Sequence, residues 1–479
     1  VEHGPLSLES ASTYKKSALA ALKEQLEKHY SDLSLVSLDE LEITNLNVYP
    51  NLKQLKDLSH DEIIILDEKE MDITLAEETV LNGEFFFEHA CAGEATRLGL
   101  GTKYLVNLRD LSISKISKIM EDEKIADMKK DRDLEKSDIL IAKQMSSEER
   151  VKELCGGDTS SLANLSLGSR HMLQLAFDIK KLADKHKRDW KEVLKKQSLL
   201  IVLNEQTSNK IIDNFIKYNF FGFDQSQVYF MIQMSFHGIH VMDKQLVYDE
   251  QSVESKRLHN HGQMYMQKTH NNSVFYIKDS EKVFLKSSEF ETVLSKHKDL
   301  LSYNIEDIGY LTSSIDYYSL AKALELGEQG FEMVMEIVSQ NPDKPQKGGA
   351  AFYDPILAKN VMIESNRLLD LRNEEIKHLN KNFNHYPMPA KSWSKVKENG
   401  LHMCYAVKKT VAGKAYLYPC PVQGDINLLV KTAFLMRKEL KPIQAWKSPA
   451  TTPDAVKAMF EQDGQEGFLD FVKLFVESE

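Results

Sequence analysis

The sequence predicts an α/β protein with a central mixed, mainly parallel sheet flanked by helices, a helical N-terminal segment and a small α+β C-terminal domain. Two uninterrupted apolar runs, residues 198–203 (SLLIVL) and 228–232 (VYFMI), are separated by a helical pattern through Ile211, Phe215 and Tyr218. Strands apolar on both faces and joined by a helix belong in a parallel sheet covered on both sides. A third run, 85–87 (FFF), passes into small residues and then Gly93, Gly99 and Gly101, the pattern of a buried strand entering a loop.

Taken in order, the chain opens with a helix to about Tyr30, where Tyr14, Leu19, Leu22 and Leu26 recur near the helical period and form a packing arm. Residues 119–153 are dense in charge with sparse apolar positions, which reads as exposed helix or an inserted hairpin. An amphipathic helix through Met172, Leu175, Ile179 and Leu182 leads to the strand at 198–203. Further strands are expected at 273–277, 303–305, 331–338 and 361–363. After Pro387 the proline spacing changes, and three units are expected: 1–80, 81–388 and 389–479.

Composition narrows the function classes. With 72 acidic against 61 basic residues and a net charge of -11, the surface lacks the positive potential that nucleic acid or anionic membrane requires. No apolar stretch is long enough to span a bilayer and no apolar signal core follows the N-terminus, so a cytoplasmic protein is expected. Cys91, Cys155, Cys404 and Cys420 are far apart without CxxC spacing, which predicts reduced thiols rather than a disulfide scaffold or zinc site.

The most informative segment is 89–108, HACAGEATRLGLGTKYLVNL. Small residues in a loop at the carboxyl end of a sheet strand let backbone N–H groups approach phosphate oxygens. Arg97 and Lys103 supply the charge a triphosphate needs, Arg as a bidentate fork and Lys as a point charge. The glycine spacing fits neither the Walker nor the dinucleotide pattern, which argues against an ATPase and a dehydrogenase.

This loop resembles the nucleotide loop of the UTP:sugar-1-phosphate uridylyltransferases, the UDP-sugar pyrophosphorylases. Gly93, Thr96, Arg97, Leu98, Gly99 and Lys103 match that pattern, with Ala95 in place of a glycine and Thr102 in place of a proline. Later blocks follow in the family's order: 220–233 (FFGFDQSQVYFMIQ), 259–265 (HNHGQMY), 304–309 (NIEDIG), 362–366 (MIESN), 380–386 (NKNFNHY, similar to an asparagine-rich loop) and 401–411 (LHMCYAVKKTV). The last block, 437–456, resembles a Phe-x-Pro-x-Lys stretch in which Leu440 replaces Phe and the lysine is lost at Gln444 or displaced to Lys447.

The resemblance implies that 81–388 is a Rossmann-like nucleotidyltransferase domain joining a sugar 1-phosphate to UTP with release of pyrophosphate. It assigns Arg97, Lys103 and Lys408 to catalysis. Ala92, Gly93, Glu94, Gln233, Asn260, His261 and Gly262 would bind the nucleotide, Gln233 by holding the uracil through an amide able to donate and accept. Glu364 and Asn382 would meet the sugar, and Glu306, standing on the family's aspartate, would hold Mg2+. The TRLG, FNHY and TPDAV segments lean toward N-acetylglucosamine 1-phosphate, while NIEDIG and the KGG at 347–349 lean toward glucose 1-phosphate. The departures at Ala95, Thr102, Asn260 and Glu306 keep open a catalytically impaired member that serves as a nucleotide- or partner-binding protein. A monomer and a homodimer are both compatible with the sequence.

Overall fold

In a computed structural model of the chain, residues 8–33, 37–38, 41, 46–93, 98–154, 162–305, 308–369, 371–440 and 445–476 are described. The strands are β1 (Ile63–Leu66), β2 (Phe85–Ala90), β3 (Ser198–Asn204), β4 (Val228–Gln233), β5 (Ile239–Met242), β6 (Gln245–Tyr248), β7 (Val274–Lys278), β8 (Glu281–Phe284), β9 (Asp299–Asn304), β10 (Met333–Ser339), β11 (Ala350–Asp354), β12 (Lys359–Ile363), β13 (His378–Pro387), β14 (Tyr405–Lys409), β15 (Ala415–Pro419) and β16 (Thr432–Arg437).

Most of them build one 12-stranded sheet in the order β1-β16-β10-β13-β9-β2-β3-β4-β7-β8, with the β11–β12 hairpin attached through β13. At its centre β9, β2, β3 and β4 run parallel. Every residue of β3 and β4 is buried, the outcome their unbroken apolar runs require. On one face Phe85, Phe87, Leu199 and Ile201 pack against Met172, Leu175 and Ile179 of the helix Leu167–Lys185. The other face carries Phe86, Leu200, Val202 and Tyr229 together with Trp393 and Tyr14 and Leu22 of the helix Leu8–His29. The period-two alternation of side chains within β2 and β3 divides these two cores. The predicted mixed, mainly parallel sheet flanked by helices is therefore the observed architecture.

Between the helix Ser208–Lys217 and β4, Asn219, Phe220, Phe221 and Gly222 all take positive φ. Left-handed backbone costs a non-glycine residue roughly 1–2 kcal/mol, and burial of both phenylalanine rings in the core offsets it. This turn brings β4 back parallel to β3, so that Asn204 and Gln233 end level with one another.

One sequence expectation meets a different outcome. The asparagine-rich block 380–386 lies in β13, antiparallel between β9 and β10, because its neighbours supply ladder partners and buried contacts that outweigh poor strand propensity. Segments 1–80 and 389–479 each lend a strand, β1 and β16, to the central sheet, where the two pair in parallel. A second sheet, β14-β15-β5-β6, likewise joins a hairpin of the central segment to the C-terminal one. The charged stretch 119–153 falls on the helices Ile113–Lys129, Lys136–Met145 and Glu148–Leu154, which bury only scattered residues such as Ile116 and Val151 against Trp446 and Met459.

Candidate functional site

The chain leaves β2 through β3 and β4 on one side and returns to β9 on the other. This makes the crevice beyond the carboxyl ends of β2 and β9 a topological switch point, the usual ligand position in open α/β sheets. A cavity of about 220 Å3 lies there, lined by Ala90, Ala92, Gly93, Lys103, Gln233, Leu258, Asn260, His261, Met264, Asn304 and Ile305. Residues from four sequence blocks thus meet in one place.

Asn204, at the end of β3, anchors the loop after β2. Its Nδ2 donates to the Ala92 carbonyl at 3.0 Å, and its Oδ1 accepts from the Gln206 and Thr207 N–H groups. Thr102, standing where the family has proline, keeps φ at -69°, within proline's own range, and its Oγ1 accepts from Asn204 Nδ2 at 3.4 Å. Lys103 opens the short 3-10 turn that follows, is buried, and donates from Nζ to the Trp446 carbonyl. Glu94 and Arg97 lie outside the described residues.

The opposite wall is the start of the helix Asn260–Lys268. Asn260, where the family has glycine, adopts φ 66°, a left-handed conformation that Asn tolerates better than most residues, so the backbone path is kept without glycine. Its Oδ1 accepts from the His261 N–H at 2.8 Å. His261 receives the Gln423 N–H on Nδ1 at 2.9 Å, which requires a neutral ring with its hydrogen on Nε2. His261 is an exposed residue, yet enclosure by the surrounding protein, reinforced by the Lys447 charge, lowers its pKa to about 4. Gly262 does not line the cavity. A Cβ there would stand 2.3 Å from the Pro421 carbonyl carbon, and the Gly262 N–H donates to the Pro421 carbonyl at 2.9 Å. The glycine is therefore needed for close packing on that backbone.

Gln233 ends β4 with its Nε2 donating to the Asn260 carbonyl at 2.8 Å and to Gln263 Oε1 at 3.0 Å. At the end of β9, Asn304 is exposed at the cavity, and Ile305, the residue before Glu306, also lines it. Glu306 and Asp307 lie outside the described residues. Among the described residues no three His, Cys, Asp or Glu side chains come together to hold a metal.

The residues assigned to the sugar occupy a neighbouring region. Glu364 follows β12 and is partly buried, which raises its pKa, and its Oε2 would lie 3.2 Å from a Cβ on Gly349. Asn382 belongs to β13 by its backbone. Sequence reasoning missed Asp425, whose carboxyl is pushed up to about 7 by burial and by Glu364, against the pull of Arg367 at 3.4 Å. It also missed the run that carries Asp425: Pro421 holds Gly262, Gln423 holds His261, and Asn427 clasps both the N–H and the carbonyl of Met362. Only pairing across the fold reveals these roles, since nothing in PVQGDIN marks it as a ligand motif. Lys408 is exposed on the edge strand β14 and does not line the cavity. Lys447 acts on His261 electrostatically. No described helix is long and apolar enough to cross a membrane.

By sequence the chain matches no family model and no curated protein. Solved structures give a different result. The chain is similar to the uridine diphosphate N-acetylglucosamine pyrophosphorylase of Trypanosoma brucei, crystallised with an inhibitor, at TM-score 0.57 and 13% identity over 93% of this chain and 79% of that one. A UDP-glucose pyrophosphorylase mutant from Leishmania major superposes at TM-score 0.52 and 14% identity over 92% and 78%. Another mutant of that Leishmania protein, in complex with UDP-glucose, does so at 0.50 and 13% over 90% and 76%. The central sheet and its flanking helices thus have the fold of the UDP-sugar pyrophosphorylases.

Proposed function

We propose that this protein is a uridylyltransferase that joins a sugar 1-phosphate to UTP, with N-acetylglucosamine 1-phosphate favoured over glucose 1-phosphate. The observation that carries this reading is the meeting of Gly93, Lys103, Gln233, Asn260, His261 and Asn304 around one cavity at the sheet's switch point. In the reaction an oxygen of the sugar phosphate attacks the α-phosphorus of UTP and pyrophosphate departs. Positioning and neutralisation of developing negative charge supply the acceleration for such chemistry.

Lys103 and Arg97 serve the phosphates, Gln233 the uracil, and His261 offers a neutral Nε2–H donor. Glu364, Asn382 and Lys408 are assigned to the sugar and its phosphate. Asn304, Glu306 and Asp307 form the oxygen-rich run that magnesium prefers, with Glu306 as its ligand, and the bound ion would neutralise phosphate charge. A monomer or homodimer in the cytoplasm completes the proposal.

A second reading, a catalytically impaired nucleotide-binding protein, draws support from the bond between the Lys103 ammonium and the Trp446 carbonyl. Pyrophosphate release from UTP, measured with magnesium across a panel of sugar 1-phosphates, separates the two. Turnover with at least one sugar, strongest with N-acetylglucosamine 1-phosphate, is expected. Bound UTP without pyrophosphate would select the second reading, and no UTP binding would overturn both.

A further inference from the structure

Behind the cavity wall lies a buried chain of amides that the proposed chemistry does not use. Gln263 is fully buried. Its Nε2 donates to the Met234 carbonyl at 2.7 Å, and its Oε1 accepts from the His259 N–H at 2.7 Å. Both partners are backbone groups of fixed polarity, so the orientation of the Gln263 amide is not a matter of choice. Gln233 is fixed in the same way, since the Asn260 carbonyl can only accept and Gln263 Oε1 can only accept. Both hydrogens of the Gln233 amide are therefore consumed by protein.

What remains of Gln233 is one acceptor. Its Oε1 makes no hydrogen bond among the described residues, is not a sealed atom, and belongs to a residue that lines the cavity. This revises the expectation that the amide would both donate to and accept from a base. Uracil presents a single ring-edge donor, N3–H, flanked by two carbonyl oxygens. Cytosine presents a bare N3 acceptor at the same point, which would meet Gln233 Oε1 acceptor to acceptor. Discrimination is strong where a buried polar group of the site would be left unpaired by the wrong ligand.

We infer that Gln263 is a positioning residue that locks Gln233 as an acceptor-only reader of the pyrimidine N3–H, and so selects UTP over CTP. The inference rests on the uridylyltransferase reading. The Tyr14 hydroxyl at 3.0 Å from His259 Nδ1 and the Gln267 Oε1 at 3.0 Å from Gln263 Nε2 brace the lock from behind. The N-terminal helix thereby bears on the base pocket without touching the cavity.

The test uses the full chain, with binding followed by calorimetry and turnover by pyrophosphate release. On the parent protein, CTP and 3-methyl-UTP, which lacks the N3 hydrogen, are each expected to bind roughly tenfold or more weakly than UTP, the scale of one hydrogen bond lost at a site where the acceptor stays unpaired. In Gln263→Met the gap between UTP and CTP should close to within about threefold, with the change in KM rather than in kcat. Equal binding of UTP and 3-methyl-UTP to the parent would overturn the inference whether or not the variant folds. An unchanged UTP to CTP ratio in a Gln263→Met protein with parental circular dichroism would do the same. Absence of any UTP binding would instead remove the function on which it rests, a result the first arm distinguishes.

Discussion

Glu88 and Lys268 form an ion pair in the interior, and breaking it provides a quantitative test of the packing behind the candidate site. Glu88 sits on β2 two residues before Ala90, and Lys268 closes the helix that begins at Asn260, so the pair ties the strand on one side of the cavity to the helix on the other. The side chains are 0% and 1% exposed and meet at 2.9 Å. At that 2.9 Å separation the attraction is about 6 kcal/mol for an effective dielectric constant near 20, offset by desolvation of both ions. Loss of one partner should therefore cost about 3–5 kcal/mol, whereas replacing both by apolar groups should be close to neutral.

The two single variants are not equivalent. In Glu88→Gln the ammonium keeps the face of Tyr265, whose ring centre is 3.6 Å away. In Lys268→Met the carboxylate keeps no hydrogen bond among the described residues, for Glu88 Oε2 already lacks one there. Lys268→Met is expected to be the more damaging. In Glu88→Gln the lysine's folded pKa, already lowered by burial against the pull of Glu88, falls further, so its deficit shrinks as pH rises toward the lysine's ordinary range. Urea unfolding followed by circular dichroism, at several pH values and with the double variant Glu88→Leu/Lys268→Met, measures all of this. Single-variant losses below about 1 kcal/mol, or a double variant equal to the sum of the singles, would refute the reasoning.

Two further outcomes are expected. Lys103→Ala should lower turnover about 100-fold to 1,000-fold while circular dichroism stays parental, and an unchanged rate of pyrophosphate release would exclude Lys103 from the site. Asp425, whose folded pKa is raised from 3.8 to about 7, gives stability that is full below pH 3.8 and lost as pH rises through 7, so Asp425→Asn should flatten that dependence. Thermal unfolding across pH 4–8 reads the difference, on the order of a few kcal/mol, and parallel curves for parent and variant would remove the raised pKa from the account.

Among the strands the sequence announced, β2, β3 and β4 are buried on both faces. β3 and β4 are continuous apolar runs and β2 opens on one, and strands buried on both faces in this way belong in a parallel sheet covered on both sides. The glycine-bearing turn after β2 and the glutamine closing β4 were legible for the same local reason, and the cavity joins Gly93, Lys103 and Gln233. β13 was not legible. Its asparagines and histidines have no strand signature of their own, and partners 80 or more residues earlier in β9 supply the ladder.

Tertiary structure alone decided which half of the Gln233 amide is left open at the cavity. Gln233 carries a donor and an acceptor in every context, but Gln263, His259 and Met234 are brought together by the packing of a helix on β4, and backbone polarity there leaves one atom free. Likewise Gly262 and Asn260 look like one motif in the sequence and serve separate ends, one packed on Pro421 and the other shaping the cavity wall. Hydrophobic runs encode the sheet because burial is a property of each residue. The polarity of a site is a property of pairs, and chain folding chooses the pairs.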